Sequence, residues 1–272
     1  MSTTTQETRV TGAAAVVRAR PAVRRGAARL VADTLNVMNR ELKPVWREPA
    51  SVLFAMVQPL VFLGLFAPLL PDADGGALQW FVPGIIAMTC LMGASFTGAG
   101  LMDEMLTGSH ERMLVSPLSR ASLLLGRAFK EIVPMLMQAA IILVVVTPFS
   151  FDLHPLGVLV GVAMLALFSV GVASMSYTLG LASDGQPWLF WTVQQTAIFP
   201  VLLLAGVLLP LDGGPGWLRT LADLNPLKYV VQAERELFGG TWHADVIAQG
   251  FAGGLVIAAL GLWIGIRGMQ RS

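Results

Sequence analysis

The sequence predicts an all-α integral membrane protein with six transmembrane helices, and three observations carry that expectation. Hydrophobic residues make up 55% of the 272 and charged residues only 13%, against the ~25% charged residues of ordinary soluble domains. Apolar runs near the ~20 residues that a helix needs to cross hydrocarbon recur six times, at about 51–70, 80–101, 132–151, 156–182, 188–209 and 246–266. Fifteen of the eighteen lysines and arginines fall in segments that six spans place on one side of a bilayer.

Residues 1–21 have no periodic apolar pattern and read as a disordered tail. Their arginines are not followed by the apolar core of ~7–15 residues that a signal peptide requires. Across 22–45 the pattern turns helical. At ~100° per residue, Ala27, Leu30, Val31, Leu35, Met38, Leu42 and Val45 gather on one side. Arg25, Arg29, Asp33, Asn36, Arg40 and Lys43 gather on the other, with Glu41 near the boundary and Arg24 against the pattern. An apolar stripe opposite basic residues suits a helix lying in the membrane interface. A helix packed on a soluble domain would look the same, but no soluble domain follows. Pro44 and Pro49 should end this helix, and Trp46 between them suits the headgroup layer. No Pro/Ser-rich linker divides the rest, so 22–272 is expected to form a single membrane domain. Cys90 is the single cysteine and reads as a small packing residue.

The placement of charge orients the chain. The links at 71–79 and 152–155 contain no Lys or Arg, and the longer link at 210–245 contains only Arg219, Lys228 and Arg235. The positive-inside bias therefore puts both termini and the segment 102–131 in the cytoplasm. The 210–245 link becomes extracellular, with a short helix of its own. Asn225 can cap that helix, Pro226 fits its first position and Gly239-Gly240 stops it.

The segment 102–131 is the one charged island between apolar spans. Glu104, Gly108 and Glu111 share a face of a short helix, with Leu106 and Met113 opposite. Proline disfavours helical geometry in the residue before it, so the chain should break at Ser116, which can cap a second helix opened by Pro117. In that second helix Leu118, Ala121, Leu125 and Phe129 fall together, and Arg120, Arg127 and Glu131 fall opposite. The expected product is a two-helix elbow. A simple anchor between spans would account for a few basic residues, whereas about thirty residues with both signs of charge suit a docking surface for a soluble partner.

The run Glu111-Arg112-Met113-Leu114-Val115-Ser116-Pro117-Leu118-Ser119-Arg120, followed by Leu124-Leu125-Gly126, resembles the cytoplasmic loop motif of type-2 ABC export permeases. Gly206, Pro210, Trp217-Leu218-Arg219, Asn225-Pro226-Leu227, Tyr229 and Arg235 resemble an extracellular motif of the same family, in the branch of the daunorubicin-resistance permeases. The resemblance implies a homodimer or a paired half-permease in a bacterial plasma membrane. It implies two copies of a separate ATPase that hold the ATP and Mg, and no cofactor on this chain. The island would be the coupling helix, with Glu104, Gly108, Glu111, Arg112, Ser116, Pro117 and Arg120 at the ATPase contact, and 22–45 would be the connecting helix. The first, second and fifth spans would line the path at the dimer interface. That singles out Gln58, Ser95, Thr97, Gln194 and Gln195, beside Phe54, Phe96, Phe190 and Phe199. His110 and Lys228 depart from the usual residue types of the family.

The chemistry missing from the chain fits this expectation. No Gly-x-x-x-x-Gly-Lys-Ser/Thr loop occurs, so the usual phosphate cradle is absent; nor does His-Glu-x-x-His or Gly-x-Ser-x-Gly. Amides and hydroxyls in hydrocarbon must face protein or water, and simple interhelical hydrogen bonding would satisfy them as well as a substrate path would. No acid looks deep enough for a proton relay. Gly157-x-x-x-Gly161, Gly250-x-x-x-Gly254 and Gly261-x-x-x-Gly265 read as packing motifs. The expected function is export of a hydrophobic or amphipathic compound, powered by a separate ATPase. Export of lipid or polysaccharide precursors, a non-transporting membrane anchor and a membrane enzyme are the alternatives. Nothing in the sequence points to nucleic acid.

Overall fold

The computed structural model describes residues 26–69, 76–109, 119–149, 151–183, 186–211 and 213–271, and every regular element among them is a helix. Residues 1–21, the Ser116-Pro117 break, Glu111 and Arg112 lie outside the described residues.

Helix α1 (Ala27–Arg47) runs through Pro44 and stops only before Pro49, which opens α2 (Pro49–Phe66). Of the two expected terminators, the second acts. Glu48, the residue before Pro49, is forced out of helical geometry (φ −125°, ψ 64°), and its N–H returns to the Pro44 carbonyl. The chain bends by 74° between these two helices. The buried side of α1 is turned from the predicted stripe: Leu42 of that stripe is buried with Thr34 and Val37, which lie outside it, whereas Val31, Leu35 and Trp46 remain exposed.

The second apolar run is α3 (Ala77–Ser95) and α4 (Thr97–Leu106), offset at Phe96. It ends at Leu106 because Gly108 adopts the left-handed conformation (φ 68°) of a helix terminator. Glu104 and Gly108 therefore do not share one helical face, contrary to expectation. The third is α5 (Arg120–Lys130) and α6 (Ile132–Val146). Ser119 caps α5, its hydroxyl accepting from the Ser122 N–H at 3.1 Å. That is three residues beyond the expected cap at Ser116, and α5 continues into the third span with an offset at Glu131. Then come α7 (Pro155–Ala182), α8 (Pro187–Leu204), α9 (Gly216–Asp223), α10 (Pro226–Phe238) and α11 (Ala244–Arg271). Helix α8 ends earlier than its apolar composition predicts, at Leu204, two residues before the left-handed Gly206 (φ 67°). Five helices among the described residues are long and apolar enough to cross a membrane, and six if the bent α1–α2 pair counts as one span.

The core forms where α7, α10 and α11 meet α3. Gly171 of α7 and Gly261 of α11 sit at the crossing of the two longest helices, and a Cβ on either would overlap the backbone of the other helix. Gly157 and Gly161 bring α10 equally close: a Cβ there would strike the Leu237 carbonyl or the Glu234 carboxyl group. These small-residue repeats thus pack the chain against itself. Cys90 sits in this core as expected.

The 210–245 link departs most from the sequence-based picture. Asn225, Pro226 and the Gly239-Gly240 stop act as predicted. Yet α10 is not a surface helix: Leu227, Val230, Val231, Ala233, Leu237 and Phe238 are buried between α3 and the first turns of α7 and α11. It re-enters the bundle. Glu234 goes with it, fully buried, and neither carboxyl oxygen has a partner among the described residues. The expectation that no acid lies deep is corrected on this point, because α10 did not count as part of the bundle.

Candidate functional site

Charged side chains from α1, α4 and α5 meet over α7 at one end of the bundle. Arg127 of α5, only 3% exposed, is the centre. Its guanidinium pairs with Glu104 of α4, lies 3.6 Å from Glu41 of α1, and stands 5.2 Å from the centroid of the Tyr177 ring on α7. Lys130 bridges Glu41 and Glu131, each at 3.7 Å, and Thr97 donates to Glu131 at 3.0 Å. Arg120 donates to the Met269 carbonyl near the end of α11. Gly126 lets α1 approach: a Cβ there would lie 2.6 Å from the Val37 side chain. The segment between α4 and α5 therefore springs from a collar of ion pairs that fastens both of its flanks to α1 and α7.

The sequence placed Arg127 on the outer face of its helix and gave Glu41, Lys130 and Thr97 no part in such a collar. The buried side of α5 is instead Leu123, Leu124, Arg127 and Ala128, rotated from the predicted stripe. The usable signal was the balance of sign: carboxylates at 41, 104 and 131 and cations at 127 and 130 in a chain with few charges. An unpaired buried charge is prohibitive, so a charge facing inward needs such neighbours.

At the opposite end the second motif assembles around α10. Arg235 donates to the carbonyls of Trp80 (3.1 Å) and Gly206 (2.8 Å), with its guanidinium 3.7 Å from the Trp80 ring centroid. Asn225 accepts from the Leu227 N–H at 3.1 Å and donates to the Val201 carbonyl at 2.7 Å, tying α10 to α8. The Tyr229 hydroxyl donates to the Asp223 carbonyl at 2.9 Å, and Pro210 borders the small cleft beside Arg235. Farther out, Glu236 accepts from Thr241 and lies 2.7 Å from His243 Nδ1. The Thr241 and His243 hydrogen bonds hold the Glu236 carboxyl below its ordinary range, and the same contact raises the His243 imidazole above its own.

The five intramembrane candidates do not form one surface. Gln58 and Gln195 are exposed on the outer faces of α2 and α8. Thr97 belongs to the collar, while Ser95 and Gln194 face an interior chamber between α3, α7, α8 and α11. Of the apolar four, Phe54, Phe96 and Phe199 are exposed and Phe190 is fully buried.

A bundle of membrane-length helices with a charged collar at one end and a re-entrant helix at the other defines a polytopic membrane protein. The chain belongs to the ABC-2 type transporter family, whose model matches residues 33–238. It is 29% identical over 219 residues to a putative transport permease, ycf38, of Porphyra purpurea, covering 76% of this chain and 74% of that one. It is 24% identical over 238 residues to the daunorubicin resistance ABC transporter permease protein DrrB1 of Streptomyces coeruleorubidus, covering 84% of each. With a probable doxorubicin resistance ABC transporter permease protein, DrrC, of Mycobacterium tuberculosis it shares 28% over 260 residues, covering 89% and 91%.

Proposed function

We propose that this permease is the membrane subunit of an ATP-driven exporter, moving a hydrophobic or amphipathic, drug-like compound outward. A separate ATPase, in two copies, holds the ATP and Mg, and two permease chains assemble side by side in a bacterial plasma membrane. Both termini and the collar are cytoplasmic in this arrangement, in keeping with the fifteen basic residues on that side.

The collar supports this reading. A force applied to the segment between α4 and α5 enters both flanking helices, and the Glu41–Arg127–Glu104 contacts carry it to α1 while the Arg127–Tyr177 contact carries it to α7. Glu111 and Arg112 in that segment are the proposed ATPase contacts, with Glu104, Gly108, Ser116, Pro117 and Arg120 framing them. The exposed faces of α2 and α8, with Phe54, Val57, Val61, Phe199 and Leu203, supply apolar surface for the second chain and the path between the two. The drug-resistance names of two relatives favour an amphipathic aromatic cargo.

The test is co-reconstitution with a cognate ATPase in inverted vesicles, using doxorubicin fluorescence as readout. Replacing Glu111 and Arg112 with alanine is expected to abolish ATPase association and ATP-dependent uptake together. Unchanged association and uptake in that variant overturn the coupling role. Association without ATP-dependent movement of any compound would make the chain an anchor instead.

A further inference from the structure

The interior chamber is a site for which neither the collar nor the dimer-facing surfaces account. It is a side-opening pocket of about 430 Å³ between α3, α7, α8, α11 and the start of α10, within a single chain, in the size range of small-molecule pockets. Its lining is apolar, with Leu91, Phe168, Val172, Ile198 and Ile257 among the wall residues. Helices α8 and α11 border it yet barely touch each other, so the chamber can be reached sideways from the hydrocarbon.

Four polar side chains reach the lining, and three are already committed. Ser95 donates to the Leu91 carbonyl at 2.6 Å. Ser176 donates to the Ser95 carbonyl and accepts from the Gly98 N–H at 3.0 Å. Asn225 uses its oxygen on the Leu227 N–H and its nitrogen on the Val201 carbonyl. Gln194 differs: it is 4% exposed, and neither Oε1 nor Nε2 has a partner among the described residues. Swapping the two amide atoms changes nothing, since both lack partners. A buried amide left unmatched destabilises the fold, and an apolar side chain would fill the place without that cost. Gln195, one residue on and ~100° further round α8, is exposed, so it does not share the setting of Gln194.

We infer that the chamber binds a neutral amphiphile whose head offers a hydrogen-bond donor and acceptor side by side, such as a carboxamide, lactam or hydroxy-ketone. Gln194 makes the paired hydrogen bonds, and the apolar body lies along α8 towards Val201. The eight helical rises from Val193 to Val201 give the wall a length of ~12 Å, room for much of a medium-length chain or a small fused ring system. A charged head would lose its hydration with no counter-charge on the lining, which excludes quaternary amines and phosphates.

The site is tested on the full chain in phosphatidylcholine nanodiscs without any ATPase, so its failure is distinct from failure of the coupling role. Radiolabelled dodecanamide is the probe, and dodecyl methyl ether, which lacks the donor, is the control. Saturable dodecanamide binding is expected, weakened about tenfold in Gln194→Leu through loss of the paired hydrogen bonds, while the weaker ether binding is unaltered. Ala197→Trp, which fills the chamber from an exposed position of α8 and keeps the amide, should abolish binding of both. Size-exclusion profile and unfolding temperature establish that each variant is folded. The proposal is overturned if wild-type chain binds no dodecanamide saturably, if Gln194→Leu binds it as well as wild type, or if Ala197→Trp leaves binding intact. Adding the ATPase and ATP then separates two sources of the same chemistry: cargo is released on hydrolysis, and a resident membrane amphiphile stays bound.

Discussion

Helices α7 and α8 follow each other directly and both are apolar enough to span a membrane, yet they occupy opposite kinds of place. In the most apolar 18-residue stretch of each, 50% of α7 is buried and 22% of α8. Helix α7 touches the rest of the bundle along its length: Gly157 and Gly161 against α10, Gly171 against α11, Ser176 against α4 and Tyr177 under Arg127. Helix α8 carries Trp188, Trp191 and Phe199 outward and is fastened to α10 through Asn225. In a bilayer, where lipid is as apolar as leucine, hydrophobicity does not choose the interior helix. Small residues that admit a neighbour's backbone, and polar groups that must find partners, make the choice.

The largest expected effect lies at the collar. Arg127→Ala leaves Glu104 without its cation and Glu41 with Lys130 alone, and should destabilise the chain by about 3–5 kcal/mol, the usual cost of breaking a buried pair. Unfolding in mixed micelles measures it, and a loss below about 1 kcal/mol would mean that the ion pairs are not carrying α7. Next comes Gly171→Leu, where the added side chain meets the Ile257 backbone and should cost at least about 1–3 kcal/mol by overpacking. If the crossing tolerates it, the close approach of α7 and α11 is not what sets α7 inside.

Asn225→Ala removes a helix cap and the link to Val201, for about 1–2 kcal/mol. The sharper readout is hydrogen exchange, which should accelerate near Val201 at the end of α8 and leave α7 protected. Replacing Trp188 and Phe199 with leucine should change stability by no more than about 0.5 kcal/mol, while weakening cross-linking between two chains. An equal loss of stability would place that face in the chain's own core. The smallest effect belongs to Glu236 and His243. A raised histidine value confers stability that is full below its ordinary pKa of 6.5 and fades as pH rises through the folded value. A lowered carboxylate value confers stability present above 4.5 and lost as pH falls through the folded value. The pair therefore helps most between 4.5 and 6.5, and the pH dependence should flatten in His243→Gln.

Some parts of this molecule follow from local rules, and those were legible. The apolar spans, the Asn225-Pro226 start and the Gly239-Gly240 stop need only chain length, capping geometry and backbone sterics. The direction of α5 was not legible, because at a helix end both faces carry leucines and the charge of Arg127 argued for solvent. The re-entry of α10 was hidden for a related reason. Its polar residues, among them Lys228, Gln232, Glu234 and Arg235, make it look like a surface helix until the carbonyls that receive Arg235 are in place.

By itself the sequence determined that this chain crosses a membrane several times, where α10 starts and stops, and which end gathers its charge. Each of these is a property of a segment and its solvent. Only the tertiary structure decided that Arg127 turns inward, that α10 fills the bundle, and that Gln194 and Gln195, adjacent in the chain, face a side-opening pocket and the open surface. The burial of Arg127 and of α10 depends on partners distant in sequence, Glu41 for Arg127 and Gly206 for Arg235. A buried cation is stable where such partners converge, and no local pattern encodes their convergence.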